Sequence, residues 1–129
     1  MAPLIRRLGQ VAVRVQDMNR AVGFYRDVLG LEFIWGNGRL SFLRLGDLCL
    51  MLDIPEDPGF DHPSSILYLD VADIDHAVRE LTARGVSFRS GAHHIGDLGD
   101  KAVWMAFFDD TEGNVMALQC ERPQVNARA

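Results

Sequence analysis

The chain has 129 residues, 48% hydrophobic and 24% charged, which is typical of a single folded domain spanning 1–129 rather than of a disordered segment. Its formal net charge is −5 and its arginines are spread along the chain, so no nucleic-acid partner is expected, because phosphate binding needs a basic stripe. No apolar run reaches the roughly 20 residues of a membrane span and the start lacks the apolar core of a signal peptide, so we expect a cytoplasmic protein without a membrane partner.

The first part of the chain predicts a strand, a helix and three further strands. Residues 8–15 alternate valines with polar or small residues, as in a strand with one packed face. Asp17 stands at a helix cap, apolar residues follow at helical spacing, and Gly30 predicts the end of the helix. Glycine-containing turns then separate three predicted strands, at 31–35, 39–45 and 48–54. Together these elements make a first βαβββ module at 6–54.

A linker at 55–65, rich in Pro, Asp, Gly and Ser, precedes a second copy of this pattern. Asp73 predicts the cap of a second helix, Gly85 predicts its end, and a loop is expected at 91–99. Strands are predicted at 66–71, 86–89, 102–108 and 114–120. The second βαβββ module is therefore placed at 66–121.

An internal repeat supports this division. Pairs of equivalent residues lie 56 positions apart, as in Asp17 with Asp73, Ala21 with Ala77, and Val22 with Val78. A constant offset through a strand and a helix indicates a duplicated structural unit.

The duplicated unit predicts an α+β fold. Two mostly antiparallel sheets, each with a helix outside, are expected to form a cup-shaped partial barrel. Strand alternation assigns the lining of the cup to Gln10, Ala12, Arg14, Cys49, Met51, Asp53, Ile66, Tyr68, Asp70, Val115, Ala117 and Gln119. A mostly apolar lining with polar groups near the strand ends is typical of a pocket for a small-molecule ligand.

The two cysteines, Cys49 and Cys120, lie in apolar strand-like runs without Cys-x-x-Cys spacing. We interpret them as two buried free thiols in a reducing compartment.

Three stretches carry a family pattern. Residues 11–31, 69–77 and 107–118 read V-x-V-x-V-x-D-x-x-x-A-V-x-F-Y-x-x-V-L-G-L, L-x-V-x-D-I-D-x-A and F-F-D-D-x-x-G-N-x-x-x-L. They resemble the opening, the start of the second module and the final hairpin of the vicinal-oxygen-chelate superfamily, which includes glyoxalases, bleomycin resistance proteins and dioxygenases. The resemblance implies paired βαβββ modules, often assembled as dimers, so we expect a homodimer.

Metal-using members of that superfamily take one ligand from each of four strands. The resemblance places these positions at Gln10, Met51, Ile66 and Ala117. Only Gln10 could bind a hard or borderline divalent ion, a thioether favours soft Cu(I), and the other two side chains have no donor atom. We therefore expect no metal at this centre and no cofactor.

Two adjacent histidines, His93 and His94, are the candidates for acid–base catalysis. They fall in the predicted 91–99 loop, which has the length and glycines to act as a lid, close to Asp97 and Asp100. Histidine suits proton transfer near neutral pH, and we favour His94 for this role. The alternative is a solvated polar loop.

Six residues are predicted to contact a ligand: Gln10, Arg14, Met51, Tyr68, Asp70 and Trp104. Trp104 is expected to face the ligand because it alternates along a strand that crosses the cup. Alternatively, the aromatic side chains are core, and Arg14 and Asp70 belong to structural ion pairs.

Two function classes follow. The first is a metal-independent protein that binds an apolar or aromatic small molecule, as the bleomycin-resistance-like members do. The second is a lyase, an epimerase or a ring-cleaving dioxygenase with an altered site. A module that serves only assembly is a third and weaker possibility.

Overall fold

The structure, a computed structural model, describes residues 4–123. The chain divides between Ser64 and Ser65 into two compact units, and each contains one four-stranded mixed sheet with a helix. The predicted α+β fold with two βαβββ modules is confirmed. Within the described residues, no helix is both long enough and apolar enough to cross a bilayer.

The first unit has the sheet order β1-β4-β3-β2, in which β1 and β4 are parallel and the other pairs antiparallel. A short 3-10 turn, Pro58–Phe60, lies in the predicted linker. The elements of the sheet and its helix are β1 (Gln10–Arg14), α1 (Met18–Val22), a π-helical segment (Gly23–Val28), β2 (Glu32–Gly36), β3 (Leu40–Leu45) and β4 (Leu48–Asp53).

The first helix begins and ends where the sequence predicts. The Asp17 carboxylate accepts a hydrogen bond from the Arg20 backbone N–H, which satisfies one of the unpaired donors of the first turn. The end lies at Gly30, whose φ of +84° is a conformation that glycine adopts without strain. The π-helical segment between them was not predicted, because apolar spacing does not distinguish one wide turn from an α-helix.

One face of the first sheet packs against this helix. Val13, Leu43, Leu50 and Leu52 are almost fully buried, and the strand register places them on the same face. The helical segments bury Ala21, Phe24 and Tyr25. We call the opposite face, which carries Gln10, Arg14 and Met51, the distal face of the first sheet.

The second unit repeats the arrangement, with the sheet order β5-β8-β7-β6 and a parallel β5–β8 pair. Its elements are β5 (Leu67–Asp70), α2 (Ile74–Ala83), β6 (His93–Leu98), β7 (Lys101–Asp109) and β8 (Val115–Pro123).

The strand predicted at 86–89 and the loop predicted at 91–99 are wrong. Residues 86–89 make only an isolated bridge, Phe88 to Phe108, and the edge strand of the sheet is β6. This strand contains polar residues and glycine, which have a low preference for strands. It forms because its backbone groups pair with those of β7. A segment held by a strand ladder is not the mobile lid that we expected.

One face of the second sheet packs against α2. This face carries the buried Ala106, Phe108, Met116, Leu118 and Cys120, whose positions alternate along β7 and β8. The other face, with Tyr68 and Asp70, is the distal face of the second sheet.

The two cysteines differ in their surroundings. Cys120 is a buried free thiol, as predicted. Its Sγ lies 3.7 Å from the Ala72 carbonyl oxygen. Cys49 is also a free thiol, but it is only half-buried, because it lies on the distal face of the first sheet. The expectation of a fully buried Cys49 is therefore wrong.

The cap of α2 predicts a pH-dependent stability. The His76 backbone N–H donates to the Asp73 carboxylate and lowers the pKa of Asp73. A lowered folded-state pKa gives stability that is present above the unfolded value of about 3.9 and is lost as pH falls through the folded value. In urea unfolding, Asp73→Ala should lower the midpoint at neutral pH, and its difference from the unaltered protein should shrink below about pH 4.

Asp73→Asn is the matched control, because asparagine also caps helices but does not titrate. It should keep most of the neutral-pH stability. A deficit of Asp73→Ala that stays constant down to acid pH would mean that the carboxylate charge contributes nothing to the cap.

Candidate functional site

An apolar strip crosses the distal face of the first sheet. The register aligns Ala12, Met51, Phe42 and Trp35, one from each of the four strands. The rings of Trp35 and Phe42 lie 5.9 Å apart at 36°, and 52% of Trp35 is exposed. A broad aromatic surface that water can reach is suited to contact with a flat ligand.

Polar side chains flank the β1 end of this strip, on either side of Ala12. On one side, Gln10 Nε2 lies 3.8 Å from Met51 Sδ, so these two predicted ligand contacts are neighbours. On the other side, the Arg14 backbone N–H donates to Ser64 Oγ at 2.8 Å, and the guanidinium lies 3.4 Å from Asp61 Oδ1. Arg14 therefore has Asp61 as an ion-pair partner, as the alternative prediction of a structural ion pair requires. A partly exposed pair of this kind adds little to the stability of the fold.

The distal face of the second sheet has its own aromatic pair. The ring centres of Tyr68 and Phe107 lie 6.0 Å apart, and the ring planes make an angle of 83°, an edge-to-face geometry. Ala117, on the strand between them, pairs with both residues. Tyr68 is 45% exposed. The next row of the same face contains Asp70, Gln119, Met105 and His93. Tyr68 and Asp70 therefore share one face, as predicted.

The two candidate catalytic histidines point to opposite faces of β6. His93 pairs with Met105 and belongs to the distal face, and its Nε2 lies 2.9 Å from Ser90 Oγ. His94 pairs with Trp104 and belongs to the helix face. A strand alternates its side chains, so a ligand on the distal face would meet His93 and not the His94 that we favoured.

Trp104 faces the helix side, so its predicted ligand-facing orientation is wrong. It shares a face with the buried Ala106 and Phe108. The Arg122 guanidinium lies 4.6 Å from the centre of its indole ring, and the His94 ring lies 5.6 Å away. The reason is the strand register, which pairs Trp104 with Cys120 on the side where α2 packs.

One ion pair and one histidine–carboxylate hydrogen bond lie in this helix-side cluster. Arg122 donates to Asp75 of α2 at 2.7 Å, and this hydrogen bond raises the pKa of the Arg122 guanidinium, which therefore stays charged over Trp104. His94 Nε2 lies 2.9 Å from Asp97 Oδ1, where its N–H donates to the carboxylate. A carboxylate that orients an imidazole is a common arrangement in acid–base chemistry, but here both groups lie away from the distal face.

The residues at the superfamily's metal positions do not fit a metal ion. Gln10 offers a weak amide oxygen and Met51 a thioether, whereas Ile66 and Ala117 end in hydrocarbon. Across residues 4–123, no three His, Cys, Asp or Glu side chains lie close enough together to hold a metal ion.

Several residues on the distal faces were missing from the predicted ligand contacts. Phe107 and Met105 would have followed from a correct register of β7, since alternation with the buried Phe108 places them on the distal face. Trp35 lies next to an irregularity between Phe33 and Trp35, which changes the alternation along β2. No signal in the sequence marks that irregularity.

Known structures share this architecture. A lactoylglutathione lyase from Agrobacterium tumefaciens superposes with a TM-score of 0.73 at 20% identity, covering 92% of this chain and 96% of that one. An antibiotic-binding protein from Streptomyces, TnmS3, gives 0.74 at 22% identity, covering 94% and 100%. A superfamily member from Sphaerobacter thermophilus gives 0.74 at 23% identity, covering 92% and 100%. At these identities, the likeness shows a shared fold.

The sequence itself matches the profile of the Glyoxalase/Bleomycin resistance protein/Dioxygenase superfamily over residues 7–118. That span covers most of both repeated units and every strand except the second half of β8. The chain is a member of the Glyoxalase/Bleomycin resistance protein/Dioxygenase superfamily.

Proposed function

We propose that this chain is a metal-independent protein that binds a small apolar or aromatic compound on the distal faces of its sheets. The observation that carries the proposal is the exposed strip of Ala12, Met51, Phe42 and Trp35. Exposed aromatic surface costs solvation free energy unless a ligand or partner covers it. Gln10 and Arg14, which flank the strip on β1, could supply hydrogen bonds that would orient a ligand.

The second distal face supports the same function. Tyr68 and Phe107 offer a hydrophobic surface with a phenol hydroxyl, and Asp70 and Gln119 add polar groups on the next row. Binding of an antibiotic by TnmS3, which has the same fold, shows that this architecture can serve a binding protein. The poor donor set at the superfamily's metal positions makes ligand binding without a metal the simpler proposal.

An enzyme is the alternative function, of the lyase, epimerase or ring-cleaving dioxygenase kind. The observation in its favour is His93, which shares the distal face of the second sheet with Asp70. The two residues lie on opposite edge strands of the sheet, so His93 would have to transfer a proton without direct help from Asp70. Conversion of a bound compound that is lost in His93→Gln would favour this alternative over binding alone.

The expected homodimer stays a prediction. The outer strands β2 and β6 expose apolar side chains, among them Ile34, Ile95 and Leu98, and a second copy would cover such edges.

Anilinonaphthalene sulfonate, a flat aromatic probe with an acidic group, tests the binding proposal. The chain has five methionines, so methionine-methyl NMR can locate the probe. Met51 and Met105 lie on the distal faces and their signals should shift, whereas Met18 and the buried Met116 lie on the helix sides and should not. Trp35→Ala should weaken binding about threefold to tenfold, since one aromatic contact is removed.

Phe33→Ala is the matched control, because Phe33 is a partly exposed aromatic residue of the same strand that pairs with the helix-side Leu43. It should leave probe affinity unchanged. Met51 and Met105 signals that stay unchanged up to saturating probe would reject the proposal and favour the assembly role.

Elemental analysis tests the metal-independent part of the proposal. Protein purified without chelator or added metal should contain well below one equivalent of Fe, Zn, Mn or Ni per chain, because only Gln10 has a suitable donor atom. A content near one equivalent that disappears in Gln10→Ala would contradict this prediction. A native mass spectrum of the same sample would also report whether the protein is a dimer.

A further inference from the structure

A cleft lies on the helix side of the first sheet, on the other side of the sheet from the distal face. It opens between the first helix and the β2–β3 hairpin and has a volume of about 380 Å³, within the usual range for small-molecule sites. Its walls are formed by Met18, Asn19, Val22, Arg26, Phe33, Gly36, Gly38 and Ser41.

A serine hydroxyl lines this cleft. Ser41 is only 2% exposed as a whole residue, but its hydroxyl is not an unsatisfied group sealed from water, because no buried side-chain polar atom of residues 4–123 lacks a hydrogen-bond partner. Since Ser41 is part of the cleft wall, a molecule in the cleft could donate a hydrogen bond to this hydroxyl or accept one from it.

Gly36 allows the hydroxyl to occupy this position. A Cβ atom at residue 36 would lie 2.6 Å from Ser41 Oγ and 3.0 Å from the Phe33 ring. Any larger residue would therefore displace both groups that line the cleft at this point. The absence of a side chain at Gly36 leaves room for the Ser41 hydroxyl at the cleft wall.

Charge and shape define the ligand. Met18, Val22 and Phe33 form apolar walls that would pack against a ring. Arg26 donates two hydrogen bonds to the Asp27 carboxylate, from Nε at 2.8 Å and from Nη2 at 3.1 Å. Because the two charges are opposite, the pair has no net charge. These hydrogen bonds raise the pKa of Arg26 and lower the pKa of Asp27, and both side chains are largely exposed to solvent. An anionic ligand would have to compete with Asp27, whereas an uncharged one would not.

We propose that this cleft binds a small uncharged ring compound with one hydroxyl or carbonyl group. The polar group hydrogen-bonds to Ser41, and the ring lies among Met18, Val22 and Phe33. This second site is separate from the distal faces and does not depend on the function proposed for them, because the four-stranded sheet lies between.

Naphthol, an uncharged two-ring compound with one hydroxyl, is the probe for this site. In methionine-methyl NMR of the full chain, the Met18 signal should shift on titration. Naphthalene, which lacks the hydroxyl, should bind about threefold to tenfold more weakly at Met18, as expected for one lost hydrogen bond. Ser41→Ala should weaken naphthol by a similar factor and leave naphthalene unchanged.

Two variants complete the design. Val22→Trp fills the cleft and should abolish the Met18 shift, and the comparison of naphthol with naphthalene remains valid if that variant fails to fold. Trp35→Ala alters only the distal face and should leave the Met18 titration unchanged. Met51 and Met105 report the distal faces in the same spectra, so failure of the cleft proposal and failure of the binding proposal are distinguishable.

The proposal is overturned if the Met18 signal does not shift with naphthol. It is also overturned if naphthol and naphthalene bind with equal affinity and Ser41→Ala leaves the affinity for naphthol unchanged. It is also overturned if naphthol does not bind and Val22→Trp converts a dimer to a monomer in light scattering. In that case a second copy of the chain covers the cleft.

Discussion

Strand alternation is the constraint on which both units depend. In each four-stranded sheet, one set of alternate side chains is buried against a helix. The other set therefore lies on the distal face of the sheet. A shift of one residue in any strand would exchange the two sets, and burial of Leu50, Leu52, Phe108 and Met116 opposes that shift. The helix-facing core thereby fixes which residues are available for binding.

Much of this arrangement could be predicted from the sequence. Valines alternating in β1 and leucines alternating in β4 assign their faces directly, and Gln10, Arg14 and Met51 lie where that alternation places them. The capping aspartates and the glycines after each helix are local signals that depend little on tertiary structure. Such features are encoded within a few residues, and a repeated unit presents them twice.

Other features could not be predicted because they depend on pairing between distant residues. The edge strand β6 contains histidine, glycine and aspartate, which favour turns, and it exists because β7 supplies its hydrogen bonds. An irregularity between His94 and Gly96 then changes the alternation along β6. Trp104 lies on β7, and its predicted face was wrong because its pairing with Cys120 depends on the register with β8, which local sequence does not reveal. Tyr68 and Asp70 lie on a strand that pairs regularly with β8, and they share the face predicted for them.

Adjacent residues of β4 face opposite sides of the sheet: Leu52 lies in the core, and Met51 lies on the distal face, where we propose that it contacts a ligand. The most direct test measures the free energy of unfolding and the affinity for anilinonaphthalene sulfonate in Leu52→Ala and Met51→Ala, where both are fully folded. Leu52→Ala should lose about 2–5 kcal/mol of stability and keep its affinity. Met51→Ala should lose affinity at a clearly smaller cost in stability. Parallel losses of stability and affinity in both variants would contradict the division between a core face and a binding face.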